Sequence, residues 1–118
     1  MPLVFVYGSL KKDKKLHYFL KEAQFISYAK TCYKYPLIKS KNGWYPYLLD
    51  IKGKGKIVKG EVYKISFNLL KKLDRLEEVP FYYIRKKICV QNKKKFLAYT
   101  YFKAKNIKFN KNELLSEF

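Results

Sequence analysis

The sequence predicts an α+β fold, a small mixed β-barrel or sheet with two main short helices. Three observations lead there. Apolar, β-branched and aromatic runs of strand length recur along the 118 residues. Two stretches carry apolar residues at helical spacing. The order β, α, several β, α, β, β lacks regular βαβ alternation and any internal repeat, which argues against a doubly wound parallel sheet. A length of 118 residues predicts one domain over 1–118, and 48% hydrophobic with 19% aromatic residues supplies a compact core.

The elements follow in chain order. Leu3-Val4-Phe5-Val6-Tyr7 reads as a buried strand that stops at Gly8-Ser9. Leu16, Phe19, Leu20 and Ala23 fall at helical spacing behind the lysine-rich start Lys11 to Lys15 and predict a short amphipathic helix. Phe25 to Tyr35 predicts one or two strands, ended by Pro36. Asn42-Gly43, Pro46, Gly53 and Gly55 mark a loop-rich middle with one strand candidate at Tyr47 to Ile51. Ile57 to Ile65 predicts a further strand, in which Gly60 suits a bulge or a close backbone approach. Ser66 offers an N-cap hydroxyl to a helix striped by Phe67, Leu69, Leu70, Leu73 and Leu76, which ends near Glu77-Glu78 because Pro80 cannot continue it. Tyr82 to Gln91 and Phe96 to Lys103 predict a hairpin around Asn92 to Lys95, and the tail reads as a weak fragment.

Charge and cysteines bound the functional classes. Lys and Arg number 27 against 9 Asp and Glu, a net charge of +18. Two of the cations are arginines, Arg75 and Arg85, and the lysines are scattered from Lys11 to Lys111. Arginine reads phosphates and base edges with a planar fork, so this composition points to nonspecific polyanion attraction and away from specific nucleic-acid recognition. Cys32 and Cys89 are not a Cys-x-x-Cys pair, and the start Met-Pro-Leu-Val has neither a basic region nor a long apolar one, which predicts free thiols and a cytoplasmic location. Apolar runs fall far short of the about 20 residues a membrane helix needs, so no membrane partner is expected. One histidine, His17, with two distant thiols makes a metal site improbable, and His17 is given no role.

Two features carry chemistry. In Tyr7-Gly8-Ser9-Leu10, Gly8 permits close backbone approach, and the amides that follow, free at the entrance of the predicted helix, can hold a carboxylate; the same turn is also common structural punctuation. Glu77 lies four residues after Leu73 and one after Leu76, so it can face inward, where helix C-terminal polarity and aromatic neighbours would raise its pKa towards proton-shuttle range. The alternative is a solvent-facing acid among lysines. Arg85, two residues beyond Tyr83 on one strand face, suits pairing with a carboxylate better than substrate binding.

Taken together, Val4-Phe5-Val6-Tyr7-Gly8-Ser9-Leu10, Tyr35-Pro36-Leu37, Gly60-Glu61-Val62-Tyr63, Leu73-Asp74-x-x-Glu77 and Tyr83-x-Arg85 resemble the γ-glutamylcyclotransferase-like family, in the same order over residues 3 to 103. Within it the likeness is greatest to the γ-glutamylamine cyclotransferases, whose glutamate segment also has a proline three residues on, as Pro80 follows Glu77. Many relatives carry glycine where Glu78 stands.

The resemblance implies a cofactor-free reaction in which a γ-glutamyl amine or γ-glutamyl peptide becomes 5-oxoproline and a free amine. It implies Glu77 as general acid and base. It implies a substrate pocket from Tyr7, Gly8, Ser9 and Leu10, with Pro46, Tyr83 and Tyr101 around it; the aromatic loop Trp44 to Tyr47 can roof such a site, although aromatic loops more often pack on the core. The competing expectation is a non-catalytic basic module of the same fold that binds nucleic acid or another polyanion.

Overall fold

The computed structural model describes residues 1–118. Its strands are β1 (Leu3–Val6), β2 (Gln24–Thr31), β3 (Leu37–Lys39), β4 (Pro46–Leu48), β5 (Lys59–Lys64), β6 (Tyr83–Gln91) and β7 (Lys95–Lys103), and α1 (Phe67–Leu76) follows β5. Five strands close a barrel in the order β1-β5-β2-β6-β7, while β3 and β4 form a separate two-stranded sheet, so the fold is α+β as predicted. Closure comes where β1 runs parallel to β7, Val4 opposite Tyr99, and the Thr100 hydroxyl donates to the Phe5 carbonyl at 2.9 Å.

Successive strand residues face opposite ways, and in β1 both faces are buried. Phe5 and the following Tyr7 pack in the barrel with Val62, Val90 and Phe102. Val4 and Val6 face outward, where Tyr63, Leu70, Leu73 and Tyr101 cover them. This double burial is why the first run shows no polar alternation. Ser66 caps α1, its hydroxyl accepting from the Leu69 N–H at 3.0 Å. The helix stops where Glu78 turns left-handed, at φ 53, just before Pro80.

The first of the two predicted helices is absent. Leu16 to Ala23 hold only a 3-10 turn at His17–Leu20. Four lysines between Lys11 and Lys15 stand where a helix N-terminus would carry positive partial charge, Asp13 is left-handed at φ 63, and local turns use the backbone, the Leu16 N–H donating to Ser9 O at 2.9 Å. Leu16, Phe19 and Leu20 still pack into the outer core, so the apolar spacing served burial without a helix. The predicted strand at Tyr47 to Ile51 is the shorter β4, paired with the unforeseen β3 through Lys39 opposite Pro46 and Leu37 opposite Leu48. Phe25 to Tyr35 gives the single strand β2, beyond which Tyr35 makes one bridge to Lys56.

Cys32 and Cys89 are not free thiols. They form a disulfide with Cα atoms 5.4 Å apart. The β2–β6 register sets Thr31 opposite Val90, which brings the next residue of one strand to the preceding residue of the other, and the Cys32 N–H donates to the Cys89 carbonyl at 3.0 Å. A separation of 57 positions conceals this in the sequence. The pairing removes the free-thiol basis for the cytoplasmic expectation. No helix is long and apolar enough to cross a membrane.

The tail also departs from expectation. It docks on the barrel through backbone bonds, the Leu115 N–H donating to Leu37 O at 2.8 Å and the Lys59 N–H to Ser116 O at 2.7 Å. Lys11 is drawn in with it, its Nζ donating to Phe118 O at 2.8 Å.

Candidate active site

A cleft of about 580 Å³ opens where the end of β1, the end of α1 and the β6–β7 hairpin meet beneath β4. It collects every residue the sequence singled out for a site. Tyr7, Gly8, Ser9 and Leu10 form one wall, Pro46 the roof, and Glu77, Tyr83 and Tyr101 the wall opposite.

The first wall exists because β1 ends at Val6 and the chain turns without entering a helix. Gly8 lies flush against the roof: a Cβ there would stand 2.7 Å from Cγ of Pro46 and 2.8 Å from its Cδ, closer than carbon atoms pack. The turn leaves three successive donors unused. The backbone N–H groups of Gly8, Ser9 and Leu10 have no acceptor within the protein, although Gly8 and Leu10 are buried. Buried amides without partners are rare and costly, and a row of them forms an anion-binding concavity.

Opposite stands Glu77, the residue that ends α1, its own N–H donating to Leu73 O at 2.9 Å. The side chain is half-buried in the cleft wall, and burial pushes its carboxyl up to about 7. The solvent-facing alternative applies to its neighbour instead: Glu78, turned by its left-handed backbone, is exposed at the rim.

Three tyrosines close the space between. The Tyr7 hydroxyl donates to the Tyr101 carbonyl at 2.5 Å, the Tyr83 hydroxyl to the Pro46 carbonyl at 3.3 Å, and the Tyr101 hydroxyl to Asp74 Oδ1 at 2.7 Å. Burial raises all three phenols well above their ordinary value. For Tyr7 the neighbouring Tyr83 and then Glu77 add to the effect, and for Tyr83 Glu77 does. The tyrosines are therefore neutral hydrogen-bonding groups at ordinary pH, and Glu77 is the cleft group poised to exchange a proton near neutrality.

Arg85 pairs with a carboxylate as expected, its Nη1 standing 2.8 Å from Asp74 Oδ2, and it does not reach the cleft. Trp44, Tyr45 and Tyr47 do line the mouth. Two lysines there went unnoticed in the sequence: Lys15, whose Nζ lies 4.5 Å from the Trp44 ring, and Lys103, 4.8 Å from that of Tyr47. No spacing signal distinguishes them from the other lysines. Asp74 was visible only as part of the Leu73-Asp74-x-x-Glu77 run, though its place one helical turn before Glu77 does mark it.

A half-buried carboxylate that shares a tyrosine-lined cleft with three successive unpaired amides is an arrangement able to hold a small carboxylate-bearing molecule and to move a proton on it. The family model "Gamma-glutamyl cyclotransferase, AIG2-like" matches residues 4–117, and the chain belongs to that family. It is 41% identical over 90 residues to Gamma-glutamylaminecyclotransferase B of Danio rerio, covering 72% of this chain and 47% of that protein. It is 38% identical over 96 residues to Gamma-glutamylaminecyclotransferase of Homo sapiens, covering 77% and 63%. It is 39% identical over 105 residues to a putative gamma-glutamylcyclotransferase of Methanocaldococcus jannaschii, covering 86% and 84%. The match takes in about half the length of the zebrafish protein. Among solved structures, an AIG2-like protein from Mus musculus superposes with a TM-score of 0.86 at 26% identity, over 100% of this chain and 88% of that one.

Proposed function

We propose that this protein is a γ-glutamyl cyclotransferase that converts a γ-glutamyl amine to 5-oxoproline and a free amine, with Glu77 as the only proton carrier. The observation that carries the reading is the pairing, in one cleft, of a carboxyl pushed up to about 7 with three unpartnered backbone amides. The family match supports the reaction, and the names of the zebrafish and human relatives support an amine as the leaving group.

The substrate's α-carboxylate sits on the amides of Gly8, Ser9 and Leu10, where fixed dipoles replace its water. Anchoring that end and roofing the site with Pro46 folds the glutamyl chain, so that the α-nitrogen approaches the γ-carbonyl carbon. The reaction is internal, and holding the near-attack shape supplies much of the rate. Glu77 takes one proton from the α-ammonium, the freed nitrogen forms a bond to the γ-carbon, and a tetrahedral centre results. When the γ-carbon to amine bond breaks, Glu77 returns that proton to the departing nitrogen, then takes the second proton from the ring nitrogen, which leaves the lactam N–H, and passes it to the released amine, which departs as an ammonium. Two protons leave the α-nitrogen and two reach the departing amine, so the carboxylate is regenerated.

The test is to incubate the protein separately with γ-glutamyl-ε-lysine, γ-glutamyl-alanine and glutathione, and to assay 5-oxoproline. Product from the first, with less from the others, is expected. Glu77→Gln should lower turnover by about 10² to 10⁴ while binding persists. Failure of all three substrates would overturn the activity, and a fully active Glu77→Gln protein would overturn the role of Glu77.

A further inference from the structure

Asp74 has no part in the proton transfer, yet it is tied to the cleft wall through Tyr101. Its two oxygens are used separately, Oδ1 accepting the Tyr101 hydroxyl at 2.7 Å and Oδ2 accepting Arg85 Nη1 at 2.8 Å. Arg85 is itself held in place, its guanidinium carbon 4.7 Å from the ring centre of Tyr99. Neither Asp74 nor Arg85 lines the cleft, whereas Tyr101 does.

A phenol has one proton to donate and lone pairs with which to accept. With its proton committed to a carboxylate behind the cleft, Tyr101 offers the cleft only acceptor capacity. The same holds for Tyr83, whose proton goes to the Pro46 carbonyl, and for Tyr7, whose proton goes to the Tyr101 carbonyl and whose oxygen keeps one lone pair beyond that turned to the Leu48 N–H. Three phenol oxygens and the Glu77 carboxylate thus give the cleft a set of acceptors, Tyr7 on one wall and the others opposite. A carboxylate or carbonyl oxygen finds no phenol donor among them, while an ammonium group brings three. The acceptor set adjoins the amide row directly, because Tyr7 precedes Gly8 in the chain. An α-amino acid carries its ammonium and carboxylate on one carbon, so the two subsites must be neighbours.

We propose that Asp74, held by Arg85, is a positioning residue that fixes Tyr101 as a hydrogen-bond acceptor, and that Tyr101, Tyr7 and Tyr83 form the subsite for the substrate's α-ammonium group beside Glu77. The proposal rests on the cyclotransferase reading. Without Asp74 the Tyr101 hydroxyl is free to rotate and donate into the cleft, which turns one acceptor into a donor opposed to the ammonium.

The experiment uses γ-glutamyl-ethylamide and the matching compound without the α-amine, N-ethylglutaramic acid. Both are titrated calorimetrically into the Glu77→Gln protein, in which turnover is suppressed, and into the same protein carrying Asp74→Asn or Tyr101→Phe. Each added substitution is expected to weaken the amine-bearing ligand about ten-fold and to leave the desamino ligand unchanged. With both present, the loss should be no greater than with Tyr101→Phe alone, because Asp74 acts through that hydroxyl. Equal weakening of both ligands, or of neither, overturns the proposal and leaves Asp74 as a support for the helix end. Tyr101→Phe keeps the ring in the core and decides the matter even should the Asp74 variant not fold. Absence of 5-oxoproline from the wild-type protein with any γ-glutamyl substrate overturns the cyclotransferase reading, and this proposal with it; turnover without ligand discrimination overturns this proposal alone.

Discussion

Glu77 shows how a single side chain takes its chemistry from the place where its helix ends. A carboxyl pushed from 4.5 up to about 7 by burial is half ionised at neutrality and changes form over the range where a base is wanted. In the proposed reaction the ionised form is the base, so kcat/KM for a γ-glutamyl amine is expected to rise with pH, bend near 7 and level off above it; a bend below about pH 5 would contradict the assignment. The same shift has a consequence for stability. Because folding raises this pKa, the folded chain holds more protons than the unfolded one between pH 4.5 and about 7, so the contribution is full below that window and is lost as pH rises through it. The shift corresponds to about 3 kcal/mol at most, and partial exposure reduces this to about 1–2. Glu77→Gln should therefore be more stable than wild type by about that amount at about pH 8 and no more stable at about pH 4, in urea titrations at both. An equal effect at the two values would mean that the carboxyl is not desolvated.

At the scale of elements, glycine positions separate close packing from turn geometry. Gly60 in β5 crosses β1 so closely that a Cβ would press on the Val6 carbonyl and lie 2.7 Å from Cζ of Phe5, which is fully buried. Neither atom can retreat without shifting β1, whose end forms the cleft wall. Gly43 is left-handed at φ 74 with nothing near it. Gly60→Ala is thus expected to cost about 2–3 kcal/mol and to impair the site, and Gly43→Ala about 1 kcal/mol from backbone strain alone, as read from urea midpoints and from turnover. Gly60 was legible as a close approach because it interrupts a strand otherwise filled with packing residues. Helix α1 was legible down to its cap, since Ser66, the Leu70 and Leu73 stripe and Pro80 all state local rules. The lost helix near Leu16 was not, because periodicity records which side chains are buried and is silent on whether the backbone between them closes helical bonds. The cleft residues were legible as motifs, but the three unpaired amides belong to the backbone and the Asp74 network to tertiary contact. Neither is written in any spacing.

For the whole molecule, the dominant unbalanced quantity is charge. A net +18 is confined to a chain with a radius of gyration of 13.2 Å, and only two ion pairs form, Arg85 with Asp74 and Lys86 with Asp50. Most cations therefore meet other cations, and folding brings them together. At about 0.01 M salt the screening length is about 30 Å, comparable with the molecule itself, whereas at about 0.15 M it is about 8 Å and repulsion across the barrel is cut off. Self-repulsion opposes the compact state, so added sodium chloride should stabilise this protein, against the trend expected were its few ion pairs the stronger term. Tm measured by calorimetry is expected to rise by about 5 °C or more between those two salt concentrations, which for a chain of this size is a gain of about 1 kcal/mol. The disulfide from Cys32, just past β2, to Cys89 in β6 helps the fold to bear that repulsion, since it ties two neighbouring strands covalently across 57 positions and limits how far the unfolded chain can expand. Reducing it should therefore steepen the dependence of Tm on salt, and a Tm that falls or stays level with salt in both forms would show that the lysines are spread too widely for their repulsion to matter.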